Sequence, residues 1–151
     1  MANHKHPDTI DFLFDNVCHL HRIRVHQLLE ALGLYQGQPM VLRELWDQEG
    51  QTQSELAVKL KVTAATMTKT LQRMEKAGFL RREPDPEDQR VSRVYLTDNG
   101  RKVQDAVEDV FRTIEAETFA NLTPEEIMLM RRLLLQLREN LRQVSGEDPW
   151  K

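Results

Sequence analysis

The sequence predicts a mainly helical fold (α+β) in which one small β-hairpin interrupts a series of six amphipathic helices. Three observations predict it. Apolar residues recur at three- and four-residue spacing through most of the chain. Threonine or aspartate stands where these runs begin, and glycine closes several of them. The period changes to two only between Phe79 and Thr97. The 151 residues suit a single domain, 1–151, and 40% hydrophobic with 30% charged residues suits a globular one. One cysteine excludes an intrachain disulfide and fits a reducing compartment. No apolar run approaches the roughly 18 residues of a membrane span, and residues 1–7 lack the apolar stretch of a secretion signal. The expectation is a cytoplasmic chain with no membrane partner.

Thr9 or Asp8 can cap the first helix, whose apolar positions are Ile10, Leu13, Phe14, Val17, Leu20, Leu28, Leu29 and Leu32, with Gly33 as its stop. A loop from Tyr35 to Pro39 leads to a second helix with Val41, Leu42, Leu45 and Trp46 inward, ended by Gly50. Thr52-Gln-Ser-Glu55 is a capping box that opens a brief third helix packing Leu56, Ala57 and Leu60. Thr63 caps a fourth, with Met67, Leu71 and Met74 inward and Gly78 closing it. Leu80-Arg-Arg-Glu83 reads as a short strand and Pro84-Asp-Pro-Glu-Asp88 as a stiff turn, since two prolines fix φ and remove donors. Val94 and Leu96 then alternate with Arg93 and Tyr95 in a half-buried strand. Thr97-Asp98 caps the fifth helix (Val103, Val107, Val110, Phe111, Ile114), and Thr123-Pro-Glu-Glu126 the sixth.

The net charge of −3 conceals a division. Residues 53–102 carry 11 basic and 7 acidic side chains, a balance of +4, whereas the remainder carries 10 and 17, a balance of −7. A basic middle between acidic ends points to an anionic partner for the middle alone. The third and fourth helices, joined by a tight turn, form a helix-turn-helix. The second of them turns Ala65, Thr66, Lys69, Gln72, Arg73 and Lys76 outward, small and hydroxylic first, long and basic after. A major groove about 12 Å wide admits such a helix by its N-terminal end. The hairpin that follows is then a wing, with Arg90 as the tip residue suited to a narrow minor groove. Asp88 is read as the carboxylate that orients a wing arginine, and Arg81, Arg82 and Arg93 as strand cations able to meet phosphate. The partner implied is double-stranded DNA.

Asp88-Gln-Arg90-Val-Ser-Arg-Val-Tyr-Leu96-Thr97-Asp-Asn-Gly100 resembles the wing signature of the MarR family: Asp-x-Arg, then Leu-Thr and a glycine three residues on. Leu71-Gln-Arg-Met-Glu75-Lys-Ala-Gly78-Phe-Leu80 before it is also typical. The resemblance runs in order over six helices and a wing. It implies a winged helix-turn-helix transcriptional regulator, a homodimer on a pseudo-palindromic operator, usually a repressor released by a small molecule. It also implies that Thr66, Thr68, Lys69 and Arg73 are recognition-helix contacts, Arg90 the wing-tip contact, and Gln53 and Ser54 backbone-contacting positions. The DNA-binding lobe is then expected at 36–100, and a helical dimerisation lobe at 8–33 and 101–146.

The ends suit that second role. Ile127, Met130, Leu134, Leu137, Leu141 and Val144 stand at gaps of 3, 4, 3, 4 and 3, an a/d seam, and Ile10, Leu13, Val17 and Leu20 repeat the spacing on the first helix. A monomer could bury the seam on its own first helix, but the periodicity favours a second copy. By the resemblance, an effector cleft lies among the first, second and fifth helices, with His21, Arg24, Met40, Arg43 and Trp46 as candidates for an aromatic carboxylate. Cys18 and His19 leave open a metal- or redox-sensing reading, against that of a cysteine that merely packs; no metal site and no cofactor is expected. A helical protein-interaction module with an incidental basic middle is the alternative without DNA. No nucleophile–base pair, phosphate loop or carboxylate dyad supports an enzyme.

Overall fold

The computed structural model describes residues 9–146; the alternative cap Asp8 and the tail histidines His4 and His6 lie outside them. The chain divides into two compact units at Ile114/Glu115.

In the first unit, α1 (Ile10–Glu30) is capped by Thr9, whose hydroxyl accepts from the Phe12 amide. α2 (Gln38–Asp47) begins one residue before Pro39, which sits in the first turn of the helix and not in the preceding loop. It also ends three residues short of Gly50, and Gln51 and Thr52 then enter a sheet. β1 (Gln51–Thr52) is a strand that the alternation of apolar residues does not announce. α3 (Gln53–Lys59) follows with its capping box complete: Thr52 Oγ1 accepts from the Glu55 amide at 3.1 Å, and Glu55 Oε2 accepts from the Thr52 amide at 2.7 Å. α4 (Ala64–Lys76) is capped by Thr63. β2 (Leu80–Pro84) and β3 (Ser92–Leu96) make the hairpin, and the sheet order is β1-β3-β2, all antiparallel, with Thr52 opposite Arg93 and Leu80 opposite Leu96.

The core collects Leu34, Val41, Leu42, Leu45, Leu56, Met67, Leu71, Met74, Leu80, Val94 and Leu96, all nearly sealed from solvent. Each apolar stripe of α2, α3 and α4 enters it, which is the burial that holds three short helices together. Leu60 only borders this core.

α5 (Asp98–Thr118) starts where Thr97 Oγ1 accepts from the Gly100 amide at 3.1 Å and donates to the Gly78 carbonyl at 2.5 Å. Gly100 is required here for space: a Cβ would lie 1.9 Å from the Phe79 carbonyl oxygen.

In the second unit, α6 (Pro124–Ser145) has its own complete capping box, Thr123 with Glu126, and stops at Gly146 in the left-handed region. None of its residues is buried. Ile127, Met130, Leu134, Leu137 and Leu141 of the seam are 41, 39, 41, 44 and 60% exposed, so the seam lies open among the described residues.

Candidate nucleic-acid interface

The reading head is built from α3 and α4. Lys61, between them, takes a left-handed φ of 52°, and the Val62 amide donates to the Ala57 carbonyl at 3.0 Å, which closes the tight reversal. Met67, Leu71 and Met74 face the core, and the remaining positions follow from helical geometry: Ala65, Thr66, Lys69, Gln72, Arg73 and Lys76 are all exposed. Thr68 is different. Its hydroxyl accepts from Gln53 Nε2 and donates to the Ala64 carbonyl at 2.9 Å. Gln53 and Thr68 thus join the starts of the two helices, and Ser54 stands exposed beside them.

Most cations around this head already have carboxylate partners. Arg82 meets Glu75 at 2.8 Å, Arg81 meets Glu83 at 2.7 Å, Arg101 meets Glu49 at 2.9 Å, and Arg93 pairs with Asp85. Lys69, Arg73 and Lys76 of α4 have no side-chain hydrogen bond or ion pair among the described residues. Three uncompensated charges on one exposed helix face make that face attractive to phosphate.

The wing carries Arg90 at its tip with 93% of its side chain exposed. Asp88 Oδ1 accepts from the Arg90 amide at 3.0 Å and from its Nε at 3.3 Å, which leaves both terminal guanidinium nitrogens outward. Arg93, expected as a phosphate contact, has two guanidinium nitrogens engaged by the wing loop and by the turn before β1: Nε to Asp85 and Nη1 to the Gly50 carbonyl at 2.8 Å. Arg81 lies 5.2 Å from the Tyr95 ring centroid and also donates to the Leu96 carbonyl. Asp85 was legible only as a turn residue; its carboxyl is held below the usual aspartate range by the Arg93 guanidinium first, then by the Glu87 amide.

A cavity of about 300 Å³ opens between α2 and α5, lined by Met40, Arg43 and Trp46 together with Pro39, Asp47, Gln104, Val107, Glu108 and Phe111. His21 and Arg24 do not line it. The spacing of 104, 107, 108 and 111 on α5 is the available signal for its far wall; of these, Val107 and Phe111 read from the sequence as packing positions. Arg43 sits 6.0 Å from the Phe111 ring centroid.

Cys18 is a free thiol of intermediate burial, with its neighbour His19 exposed. No group of three or more His, Cys, Asp or Glu able to hold a metal occurs among the described residues. Ile10, Leu13 and Val17 on α1 are 85, 53 and 56% exposed. No helix among the described residues is long and apolar enough to cross a membrane.

Residues 34–92 match the model of the MarR family. The transcriptional regulator HosA of Escherichia coli O111:H- is 34% identical over 108 residues, covering 72% of this chain and 80% of HosA. A solved mutant of MepR from S. aureus superposes with a TM-score of 0.79 at 27% identity, covering 88% of this chain and 98% of that one. A mutant of MarR from E. coli, complexed with operator DNA, superposes with a TM-score of 0.66 at 25% identity, over 83% and 90% of the two chains.

Proposed function

The chain belongs to the MarR family of DNA-binding transcriptional regulators, not enzymes, and from that premise we propose that it is a homodimeric repressor of a pseudo-palindromic operator, released by a small aromatic acid. The observation that carries the reading is the contrast on α4: Lys69, Arg73 and Lys76 are uncompensated, while the arginines around them are paired.

α4 enters the major groove by its N-terminal end, with Ala65 and Thr66 nearest the bases. Lys69, Gln72 and Arg73 come next, and Lys76 meets phosphate. Ser54 and the Gln53–Thr68 pair approach the backbone at the start of α3. Arg90, oriented by Asp88, enters the minor groove, where a narrow A·T-rich stretch concentrates negative potential. Arg93 supports the wing from within. The exposed apolar residues Ile10, Leu13 and Val17 of α1, with Ile127, Met130, Leu134, Leu137 and Leu141 of α6, are covered by a second copy. Two-fold symmetry then sets two recognition helices one DNA turn, about 34 Å, apart.

The cavity between α2 and α5 is the effector site. Arg43 takes the carboxylate, and Met40, Trp46 and Phe111 enclose the ring. Asp47 on α2 and Glu108 on α5, which also line the cavity, disfavour a second negative charge. An occupied cavity lowers the population of dimers whose heads fit the operator.

The test is a titration of DNA from upstream of the protein's own gene across a range of salt. The wild type should lose affinity steeply as salt rises, and a Lys69→Ala, Arg90→Ala double variant should lose specific binding. Undiminished binding by the double variant would refute the repressor mechanism.

A further inference from the structure

Asp85 is out of place by composition. It lies in a loop whose residues 86–90 are all exposed, yet its side chain is only 9% exposed. The loop explains why. Pro84 and Pro86 bring no amide donors, and residues 85–91 leave the ladder between β2 and β3, so the remaining amides need other acceptors. Asp85 Oδ1 receives two of them, from Glu87 at 2.8 Å and Asp88 at 3.2 Å. Its own amide donates to the Val91 carbonyl at 2.8 Å, and the Val91 amide to the Asp88 carbonyl at 2.9 Å. The other carboxylate oxygen receives Arg93 Nε, and the same guanidinium donates through Nη1 to the Gly50 carbonyl at 2.8 Å. Gly50 is itself joined to the sheet through its amide and the Val94 carbonyl at 2.9 Å. One planar group therefore ties the start of the wing loop to the turn between α2 and β1, a region 43 residues away in sequence.

We propose that Asp85 and Arg93 are positioning residues for DNA binding, a latch that fixes the wing loop against Gly50 and thereby aims Arg90, without either of them touching DNA. The inference rests on the reading of Arg90 as the wing contact. A guanidinium suits the task because its fork reaches two acceptors in fixed geometry, which a lysine ammonium on a flexible stem does not.

The experiment uses the full chain and a duplex selected from a random-sequence library by the wild-type protein. Asp85→Asn and Arg93→Gln are each measured alone and combined with Arg90→Ala, at several salt concentrations. Each single change should weaken binding about tenfold and lower the salt dependence by about one counterion, as expected when one phosphate-directed cation is lost. In the Arg90→Ala background the same changes should cost less than about twofold, since they act through the missing side chain. Arg93→Lys should behave as Arg93→Gln does. Amide exchange should quicken at residues 85–91 while α4 keeps its protection. An equal loss with and without Arg90, or quickened exchange across α4, overturns the latch alone. If Arg90→Ala by itself costs nothing, the reading of Arg90 falls and the latch with it.

Discussion

The indole Nε1 of Trp46 donates to the carbonyl of Gly100 at 2.8 Å, across 54 residues of sequence. α2 is thereby fastened to the first turn of α5 at the glycine that the Leu-Thr-x-x-Gly motif specifies. The same glycine lets α5 pack on the Phe79 backbone, where no side chain fits.

Gly100→Ala should therefore destabilise the protein by about 3 kcal/mol, because backbone rather than a movable side chain occupies the space. Trp46→Phe, which keeps an aromatic but smaller side chain and removes the donor, should cost about 1 kcal/mol by leaving a carbonyl without its partner. Urea melts of the two variants check both figures, and the order between them is the sharper part of the expectation.

Leu134→Glu and Leu137→Glu should convert the protein to a monomer with its helical circular dichroism intact. Both side chains are more than 40% exposed in the single chain, so the substitution meets water there and meets a desolvated seam only in the dimer. Sedimentation equilibrium checks it; a dimer that persists would place the interface elsewhere.

Acid should weaken the lobe. The Arg82 side chain holds the Glu75 carboxyl low, the Thr52 amide does so for Glu55, and Arg93 for Asp85. All three are depressed in the folded state. Their contribution is complete above the unfolded-state values near 4 and is lost as pH falls through the lower folded values. The melting temperature should therefore fall as pH drops below about 4, and an Asp85→Asn, Glu75→Gln variant should show a flatter decline over that range. Glu75 is more than one-third exposed, so water moderates its share.

Arg43→Ala should abolish thermal stabilisation by a phenolic acid such as salicylate and leave operator affinity unchanged. Met40→Trp should do the same by filling the cavity. Thermal shift with and without the acid, beside a DNA titration, separates the two readouts.

What was legible in the sequence was local or periodic. Thr52 with Glu55, and Thr123 with Glu126, are three residues apart and need nothing beyond their own helix turn, so both capping boxes stand where the spacing put them. Met67, Leu71 and Met74 follow one helical stripe into the core. β1 was not legible, because its membership is tertiary: Gln51 is buried only because its amide nitrogen meets the carbonyls of Glu44 and Gln48 and its oxygen meets Lys59. A buried glutamine in a two-residue strand leaves no alternation to read. Arg93 shows the same limit. Its charge is legible, but which acceptors its Nε and Nη1 meet is set by register and the distant Gly50 carbonyl. In the cavity, Met40, Arg43 and Trp46 came together as expected, whereas His21 and Arg24 on α1 did not join them.

Thr52 closes β1 and caps α3 at once, with its neighbour across the sheet being Arg93. A single residue thus belongs to both the wing and the helix pair, and no hinge separates the two. A lobe made this way behaves as a stamp cast in one piece. It moves as one body, so that the exposed face of α4 and the tip of the wing keep their spacing. On the proposed reading of Lys69 and Arg90, selection for a different operator recuts side chains on a shared block, since the distance between helix and wing is not separately adjustable.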